Sequence, residues 1–488
     1  MPALVQTSIP SRLDRLPWTR FHWLIVIALG ATWILDGLEV TLAGALGAVL
    51  TKRDALGLTD AEVGASATVY LAGAVIGALV FGYLTDRLGR KRLFYITVAV
   101  YLVGTGLTGL SWNFPSYALL RFVTGAGIGG EYAAINSAID ELIPARVRGR
   151  VDLIINSTYW IGAAAGSAGI MILLNPTVLP IGVAWRLVFG IGAVLGLIVM
   201  YFRHWVPESP RWLLIHGKGS EADQIVEKVE QSVSHRRQNF PNEPLIPITI
   251  RTRTHTAWRE VWQAIGHRYR RRAILGFVLM VTQAFFYNAI FFTYGLVLMR
   301  FYGVPAERVS AYLLPFALGN VLGPVLIGHL FDTVGRKKMI TLTYVLSGVL
   351  LAVSGYAFQK NLLTAQTQTV AWSLIFFCAS AAASSAYLTV SEIFPLELRA
   401  FALAIFYSIG TFAGGVFAPW LFGAIIGTGS RGALAAGYNV AAALMIAGGA
   451  VEAWIGVAAE RQSLESIAAP LSLAEEFIDE QTATPFRQ

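Results

Sequence analysis

Three ionisable residues, Asp36, Glu39 and Arg121, stand inside long apolar runs, where a charge is expensive and therefore marks function. Glu39 follows Asp36 by three residues, which puts both acids on one helical face. At about 1.5 Å per residue, Asp36 lies about 21 Å into its run, and Arg121, entering from the other side, about 9 Å into its own. Across about 30 Å of hydrocarbon those depths coincide. An acid beside a guanidinium keeps its negative charge and loses that support when the two part. Proton uptake can thus be tied to a change of conformation. The alternative is a static ion pair that only holds two helices together.

A second group of residues suits solute binding. The run from Gln283 to Gly295 combines two amides, Gln283 and Asn288, with Tyr287, Tyr294 and four phenylalanines. An amide offers donor and acceptor together, which serves hydroxyls or a carboxylate. Asn156 and Tyr159, Asn320 and Trp420 are candidate wall residues from other runs, with ordinary helix packing the competing explanation for the aromatics. Other chemistries find no support. No nucleophile, base and third group converge at a recognisable spacing, and no Walker sequence is present, so neither an enzyme nor an ATP-driven pump is expected. The lone Cys378 and seven unpaired histidines leave no metal site, and no cofactor is expected beyond a proton as coupling ion. The glycine-rich stretches 125–130, 162–169 and 410–415 lie within apolar runs and read as close helix packing rather than phosphate loops.

The elements that must hold these groups are membrane helices. The chain has 488 residues, 55% hydrophobic and only 14% charged, and its apolar residues come in membrane-length runs. Twelve are expected, over about 22–50, 62–84, 93–111, 115–142, 152–174, 183–204, 273–300, 309–331, 339–358, 369–393, 401–425 and 433–456. With both termini inside, 29 of the 37 Lys and Arg fall on the inner side, so the termini and the long 6–7 loop are assigned to the cytoplasm. That bias explains the net charge of +8 without nucleic acid. The first apolar segment is too long for a signal-peptide core and is read as a retained span.

The expected organisation is a cytoplasmic segment 1–21, a bundle 22–204, a linker 205–272, a second bundle 273–456 and a tail 457–488. In the linker, Ser220 to Gln238 and Thr256 to His267 show helical apolar faces, so short helices are expected under the membrane or against the bundles. The acidic tail after Ala459 is expected to be mobile.

Two motifs recur. Gly82, Asp86, Gly89, Arg90 and Lys91 return 246 residues later as Gly328, Asp332, Gly335, Arg336 and Lys337. Glu141, Pro144 and Arg148 return 251 residues later as Glu392, Pro395 and Arg399. Two motifs at nearly one offset argue for a duplicated six-helix unit, and two such bundles leave a cavity between them. Asp86 and Asp332 are placed to face the positive N-terminal end of a helix in the opposite bundle.

These motifs resemble the loops joining helices 2–3 and 8–9 in the major facilitator superfamily of secondary transporters. The stretch from Arg121 through Gly125, Gly127, Gly129 and Gly130 to Glu131 is similar to the span-4 signature of sugar porters and bacterial metabolite/proton symporters. Pro207, Glu208, Ser209, Pro210 and Arg211 resemble the sugar-porter motif after span 6, whereas the Asp36/Glu39 pair is similar to that of aromatic-acid/proton symporters. The resemblance covers residues 22–456. It implies an all-α integral membrane fold of twelve helices as two six-helix bundles, related by a pseudo-two-fold axis.

The resemblance puts Asp36 and Arg121 in the proton-coupling role, with Glu39 a second or alternative carrier. It makes Asp86, Arg90, Glu141 and Arg148, with Asp332, Arg336, Glu392 and Arg399, a cytoplasmic gate that closes when the cavity faces outward. Glu131 is assigned to that gate network. Sugar porters share the spacing of Gln283 and Asn288, but this chain has Thr282 and Phe286 where a second Gln and a Gly are usual. The expected activity is proton-coupled uptake of a small organic or aromatic acid across a cytoplasmic-type membrane, by a protein working as a monomer in the bilayer. A sugar or polyol symporter and a transport-silent sensor are the alternatives.

Overall fold

A computed structural model describes residues 4–174, 178–235, 245–253 and 256–473. The first half contains α2 (Arg20–Leu50), α3 (Asp60–Leu88), α4 (Arg90–Thr108), α5 (Phe114–Leu142), α6 (Arg148–Leu173) and α7 (Ile181–Phe202), preceded by β1 (Leu4–Thr7) and α1 (Ile9–Asp14). A connecting region holds α8 (Pro210–Ile215), α9 (Gly219–His235), β2 (Ile248–Arg251) and α10 (Trp258–Gln263). The second half comprises α11 (Arg270–Phe291), α12 (Tyr294–Tyr302), α13 (Ala306–Ile327), α14 (Leu330–Thr333), α15 (Arg336–Gln359), α16 (Ala365–Ile393), α17 (Arg399–Gly410), α18 (Ala418–Gly427) and α19 (Arg431–Ile455), followed by α20 (Leu464–Ile467). Among the described residues, nine helical stretches are long and apolar enough to cross a membrane. Helices α4, α5 and α6, of 19, 29 and 26 residues, carry much of the first half's buried charge.

Helix starts are set by side chains. Thr59 with Glu62, Asn113 with Ser116 and Thr364 with Thr367 form reciprocal caps at the first turns of α3, α5 and α16. Glycines then let helices approach. A Cβ at Gly129 of α5 would lie 2.0 Å from the Ala74 carbonyl oxygen of α3, and one at Gly162 of α6 would lie 1.8 Å from that of Ile34 on α2. With no solvent-driven hydrophobic force inside lipid, this backbone proximity is what gives the helices contact energy.

The face bearing both described chain ends, termed the terminal face, is covered by a layer of its own. The apolar side of α9 (Ala222, Val226, Val229 and Val233) packs on Ile9, Leu13 and Leu16 and on α8. Alternating strands β1 and β2 pair antiparallel, with Val5 opposite Ile250, and Leu473 bridges to Ile250.

Four expectations need amendment. The fold is not wholly helical, because this ribbon joins the ends of the chain to the linker. The tail is anchored as far as Leu473: Glu397 accepts hydrogen bonds from the backbone of Leu471 and Ser472 at 3.0 and 2.8 Å. Residues 474–488 lie outside the described residues. The expected span 273–300 is interrupted at Phe292 and Thr293, where the Thr293 hydroxyl donates to the Ala289 carbonyl at 2.5 Å and competes with the helical ladder. The expected span 401–425 contains a wide turn over Thr411–Phe417.

Overpacking tests the close approach. Gly162→Leu should lower stability by about 1–3 kcal/mol, read as a drop in thermal unfolding temperature in detergent. Gly190→Leu, where a Cβ meets nothing within 4 Å, should leave it unchanged.

Candidate functional site

Between the halves lies a cavity of about 470 Å³, walled by α2, α3, α5, α6, α11, α16 and α17. That size suits a small organic solute. Tyr132 is its hub on the terminal side: it stacks on Tyr407 at 4.6 Å, lies 6.3 Å from Tyr387, and meets Trp33 edge-on at 4.6 Å. Trp160 of α6 meets Tyr287 at 5.7 Å and Phe291 at 5.0 Å, so aromatic surfaces of both halves face the same space. The lining amides are Gln283, Asn288 and Asn156, and Arg121 is the one ionised residue among the described lining residues.

Three of the expected wall residues are elsewhere. Tyr294 is fully buried within the second half, its hydroxyl paired with Thr369 at 2.7 Å and its ring 4.8 Å from Trp372, because the break before α12 turns it away. Trp420 is 67% exposed on the outer side of α18; its neighbour Pro419 takes the cavity position. Asn320 is buried behind the wall, where its carboxamide oxygen accepts from the Tyr287 hydroxyl and its Nδ2 donates to the Phe316 carbonyl at 2.9 Å. Asn320 orients Tyr287 without lining the cavity.

The acid–guanidinium pair also differs from the one expected. Arg121 Nη1 donates to Glu39, not Asp36, at 2.7 Å, and Thr105 donates to the other Glu39 oxygen at 3.2 Å. Depth explains the exchange, since Glu39 sits one turn farther along α2, at the level where Arg121 is pinned over the Tyr70 ring at 4.4 Å. Asp36 is buried and makes no ion pair among the described residues; Glu131, Glu39 and Arg203 are the charges around it. Glu131 does not join the closure at the terminal face. It pairs with Arg203 at 3.4 Å, and Arg203 stacks on Phe94 at 4.2 Å. Asp36 thus lies between two pairs, Glu39–Arg121 and Glu131–Arg203.

At the terminal face the repeated motifs build one arrangement twice. Glu141 binds Arg90 of its own half at 2.8 Å and Arg399 of the other at 3.5 Å. Glu392 binds Arg336 of its own half at 3.1 Å and Arg148 of the other at 3.5 Å. Asp86 pairs with Arg90 and accepts from the Phe401 backbone at 3.0 Å, at the start of α17. Asp332 pairs with Arg336 and accepts from Gly149 and Arg150 at 3.1 and 2.7 Å, at the start of α6. Each aspartate therefore meets the positive end of a helix from the opposite half. The eight residues form two matching groups, Asp86–Arg90–Glu141–Arg399 and Asp332–Arg336–Glu392–Arg148.

Several members escape sequence inspection. Asp14 links Arg148 at 3.3 Å and Arg211 at 3.2 Å, and Arg211 binds Glu465 at 2.8 Å. Glu208 accepts from the Arg90 backbone at 2.8 Å and Glu460 from that of Arg336 at 3.2 Å, capping α4 and α15 where Gly89 and Gly335 take positive φ. Burial pushes the Glu208 carboxyl above its ordinary value, against the pull of the Ser209 backbone and Arg90. On the opposite face, Arg186 caps Gly109 at 2.7 Å and Arg431 caps Phe358 at 3.2 Å, a further repeat. Glu208 and Arg211 do lie in a recognisable motif; Asp14, Arg203, Glu460 and Glu465 look like ordinary surface charges in the sequence.

A multi-pass membrane protein with a solute-sized cavity between its halves, shut at one face by paired charges, is a transporter of the major facilitator type. The family model described as "Sugar (and other) transporter" matches residues 40–469, and the chain belongs to that family. It is 27% identical over 420 residues to the niacin transporter NiaP of Acinetobacter baylyi, covering 84% of this chain and 89% of that one. It is 25% identical over 429 residues to the 4-hydroxybenzoate transporter PcaK of the same organism, covering 84% and 86%. It is 24% identical over 432 residues to a gallate transporter of Pseudomonas putida, covering 88% and 91%. Among solved structures, the proton:xylose symporter XylE bound to 6-bromo-6-deoxy-D-glucose superposes with a TM-score of 0.74 at 17% identity, over 92% of this chain and 98% of that one, and shows the shared fold.

The closure yields a measurable expectation. A hydrogen bond to a charged group contributes about 1.5–3 kcal/mol, so Asp86→Asn with Asp332→Asn should shift the balance toward an open terminal face by about tenfold or more. The readout is the labelling rate of Ala400→Cys, fully buried here, in a Cys378→Ser background.

Proposed function

We propose that this protein imports a small aromatic carboxylate together with protons, by alternating access. In this reading twelve helices form two six-helix bundles related by a pseudo-two-fold axis. Both termini and the terminal face lie in the cytoplasm, and the protein works as a monomer in a cytoplasmic-type membrane. The observation that carries the proposal is the cavity: ring-lined on both halves, furnished with amides, and holding a single guanidinium that is already engaged by Glu39.

An aromatic ring stacks between such walls, and a carboxylate competes with Glu39 for Arg121. Protonating Glu39 frees Arg121 for the solute, so solute and proton favour each other's binding. Asp36, buried beside both acid–guanidinium pairs, can receive a proton without a cation of its own. The charged closure must differ between states to matter, and it does so if its cross-half pairs exist only while the cavity faces outward. The similarity to NiaP, PcaK and the gallate transporter, each named for an aromatic carboxylate, supports the substrate class. The xylose symporter supports the fold and not a sugar substrate.

Uptake of labelled 4-hydroxybenzoate, gallate, nicotinate and xylose into expressing cells, with and without a protonophore, tests substrate and coupling together. Accumulation of at least one of the three acids, collapsed by the protonophore, is expected; accumulation of xylose alone would overturn the substrate class. Asp36→Asn should lose accumulation while keeping counterflow exchange. Glu39→Gln should leave Arg121 buried without its partner and cost about 3–5 kcal/mol of stability, a loss that thermal unfolding would register.

A further inference from the structure

Three buried acids take no part in the reading above: Glu452 of α19, which stands by itself, and a pair in the first half, Asp140 and Asp152. Asp140, near the end of α5, and Asp152, in the first turns of α6, are both 0% exposed, and no group among the described residues donates to either carboxyl in ordinary hydrogen-bond geometry, although the Ser391 hydroxyl faces Asp140 and the Asn156 amide faces Asp152. Neither joins an ion pair among the described residues. Facing Asp140 are Glu392 and Ser391 of α16, Arg148 of α6 and Arg399 of α17. Facing Asp152 are Asp140, Glu392 and Arg336 of α15, with Asn156 on its own helix.

The neighbouring cations are already committed. Five guanidiniums (Arg90, Arg148, Arg211, Arg336 and Arg399) share six carboxylates: Asp14, Asp86, Glu141, Asp332, Glu392 and Glu465. Among these described residues the six carboxylates already outnumber the five guanidiniums. Two further carboxylates would be buried, unpaired and beside one another, which costs far more than carrying a proton.

Their position connects the closure to the cavity. Because α5 and α6 run antiparallel, Asn136 lies one turn deeper than Asp140, and Asn156 one turn deeper than Asp152. Asn156 Nδ2 donates to Asn136 Oδ1 at 3.4 Å and to the Asp152 carbonyl at 2.9 Å. Its own Oδ1 is unpartnered, and the residue lines the cavity. A polar ladder thus descends from the cavity wall through two amides and two acids to Glu392 and Arg148.

We propose that Asp140 and Asp152 are a second proton-binding site, filled while the closure is shut and emptied to the terminal face when it opens. On opening, each carboxyl gives its proton to entering water and remains as a carboxylate; on closing, the transfer reverses. The shut state then holds more protons than the open one. Acid therefore favours the shut state, and alkali the open one. The site builds on the proton-coupled reading, yet its test needs no transported solute.

Infrared spectra of the full-length protein in lipid vesicles at neutral pH should contain protonated-carboxyl bands lost one each in Asp140→Asn and Asp152→Asn, and retained in Asp36→Asn. In Gly149→Trp, whose side chain displaces Arg336 (a Cβ there would already lie 2.0 Å from Nη1), the same bands should vanish as the closure is wedged open. Absence of the bands from the wild type, or their persistence in Gly149→Trp once labelling of Ala400→Cys shows it open, would overturn the site. The wild-type and wedged spectra decide this even if an asparagine variant fails to fold. Uptake indifferent to a protonophore would instead defeat the coupling reading and leave these bands untouched.

Discussion

One carboxylate serving two guanidiniums, one from each half of the chain, is the interaction on which this architecture turns. Glu141 binds Arg90 and Arg399, and Glu392 binds Arg336 and Arg148. A fully buried ion pair gains little net stability against its desolvation, but removing one partner leaves a costly bare charge. In the alternating-access cycle proposed above, each glutamate keeps its own half's arginine when the halves part and loses only the other's. On that proposal the intra-half bonds are the hinge pins, and the cross-half bonds are what a change of state makes and breaks.

The rest of the molecule works around that constraint. Asp86 and Asp332 add a bond from a carboxylate to the opposite helix start, so closure uses helix ends as well as side chains. Glu208 and Glu460 hold the turns at Gly89 and Gly335, which keeps Arg90 and Arg336 aimed inward. Farther in, Asp36 sits between Glu39–Arg121 and Glu131–Arg203, each pair neutral by itself. The charges are thus sorted into levels along the membrane normal. The aromatic group of Trp33, Tyr132, Tyr387 and Tyr407 lies between the cavity and the levels nearest the terminal face.

How much of this was legible in the sequence depended on whether a signal repeated. The residues of the charged arrangement at the terminal face could be named because Gly82–Lys91 and Glu141–Arg148 each recur at a fixed offset, and the helices because lipid demands long apolar runs. Gln283, Tyr287 and Asn288 were visible as an amide-and-aromatic face. Partner choice within the membrane was not. Asp36 and Glu39 differ by one turn, less than the error of counting residues from an assumed helix start, so the partner of Arg121 could not be resolved by depth. Trp420 and Tyr294 were misplaced for a related reason: a wide turn at Thr411–Phe417 and a break at Phe292–Thr293 rotate everything after them. Asp14, Glu460 and Glu465 carry no local pattern, because their meaning comes from contacts 124 to 254 residues away in the chain.

The small ribbon on the terminal face has a consequence for biogenesis. Its three contributors, Leu4–Thr7, Ile248–Arg251 and Leu473, come from the beginning, the middle and the end of the described chain. The first strand must wait through the insertion of α2 to α7 before its partner is made, and the third element arrives only after α19 has entered the bilayer. A polypeptide stalled after α10 can already pair β1 with β2 and pack Ile250 on Ile9 and Leu13, but it lacks the bridge from Leu473, so the seam closes only when the last of its three contributors has been made.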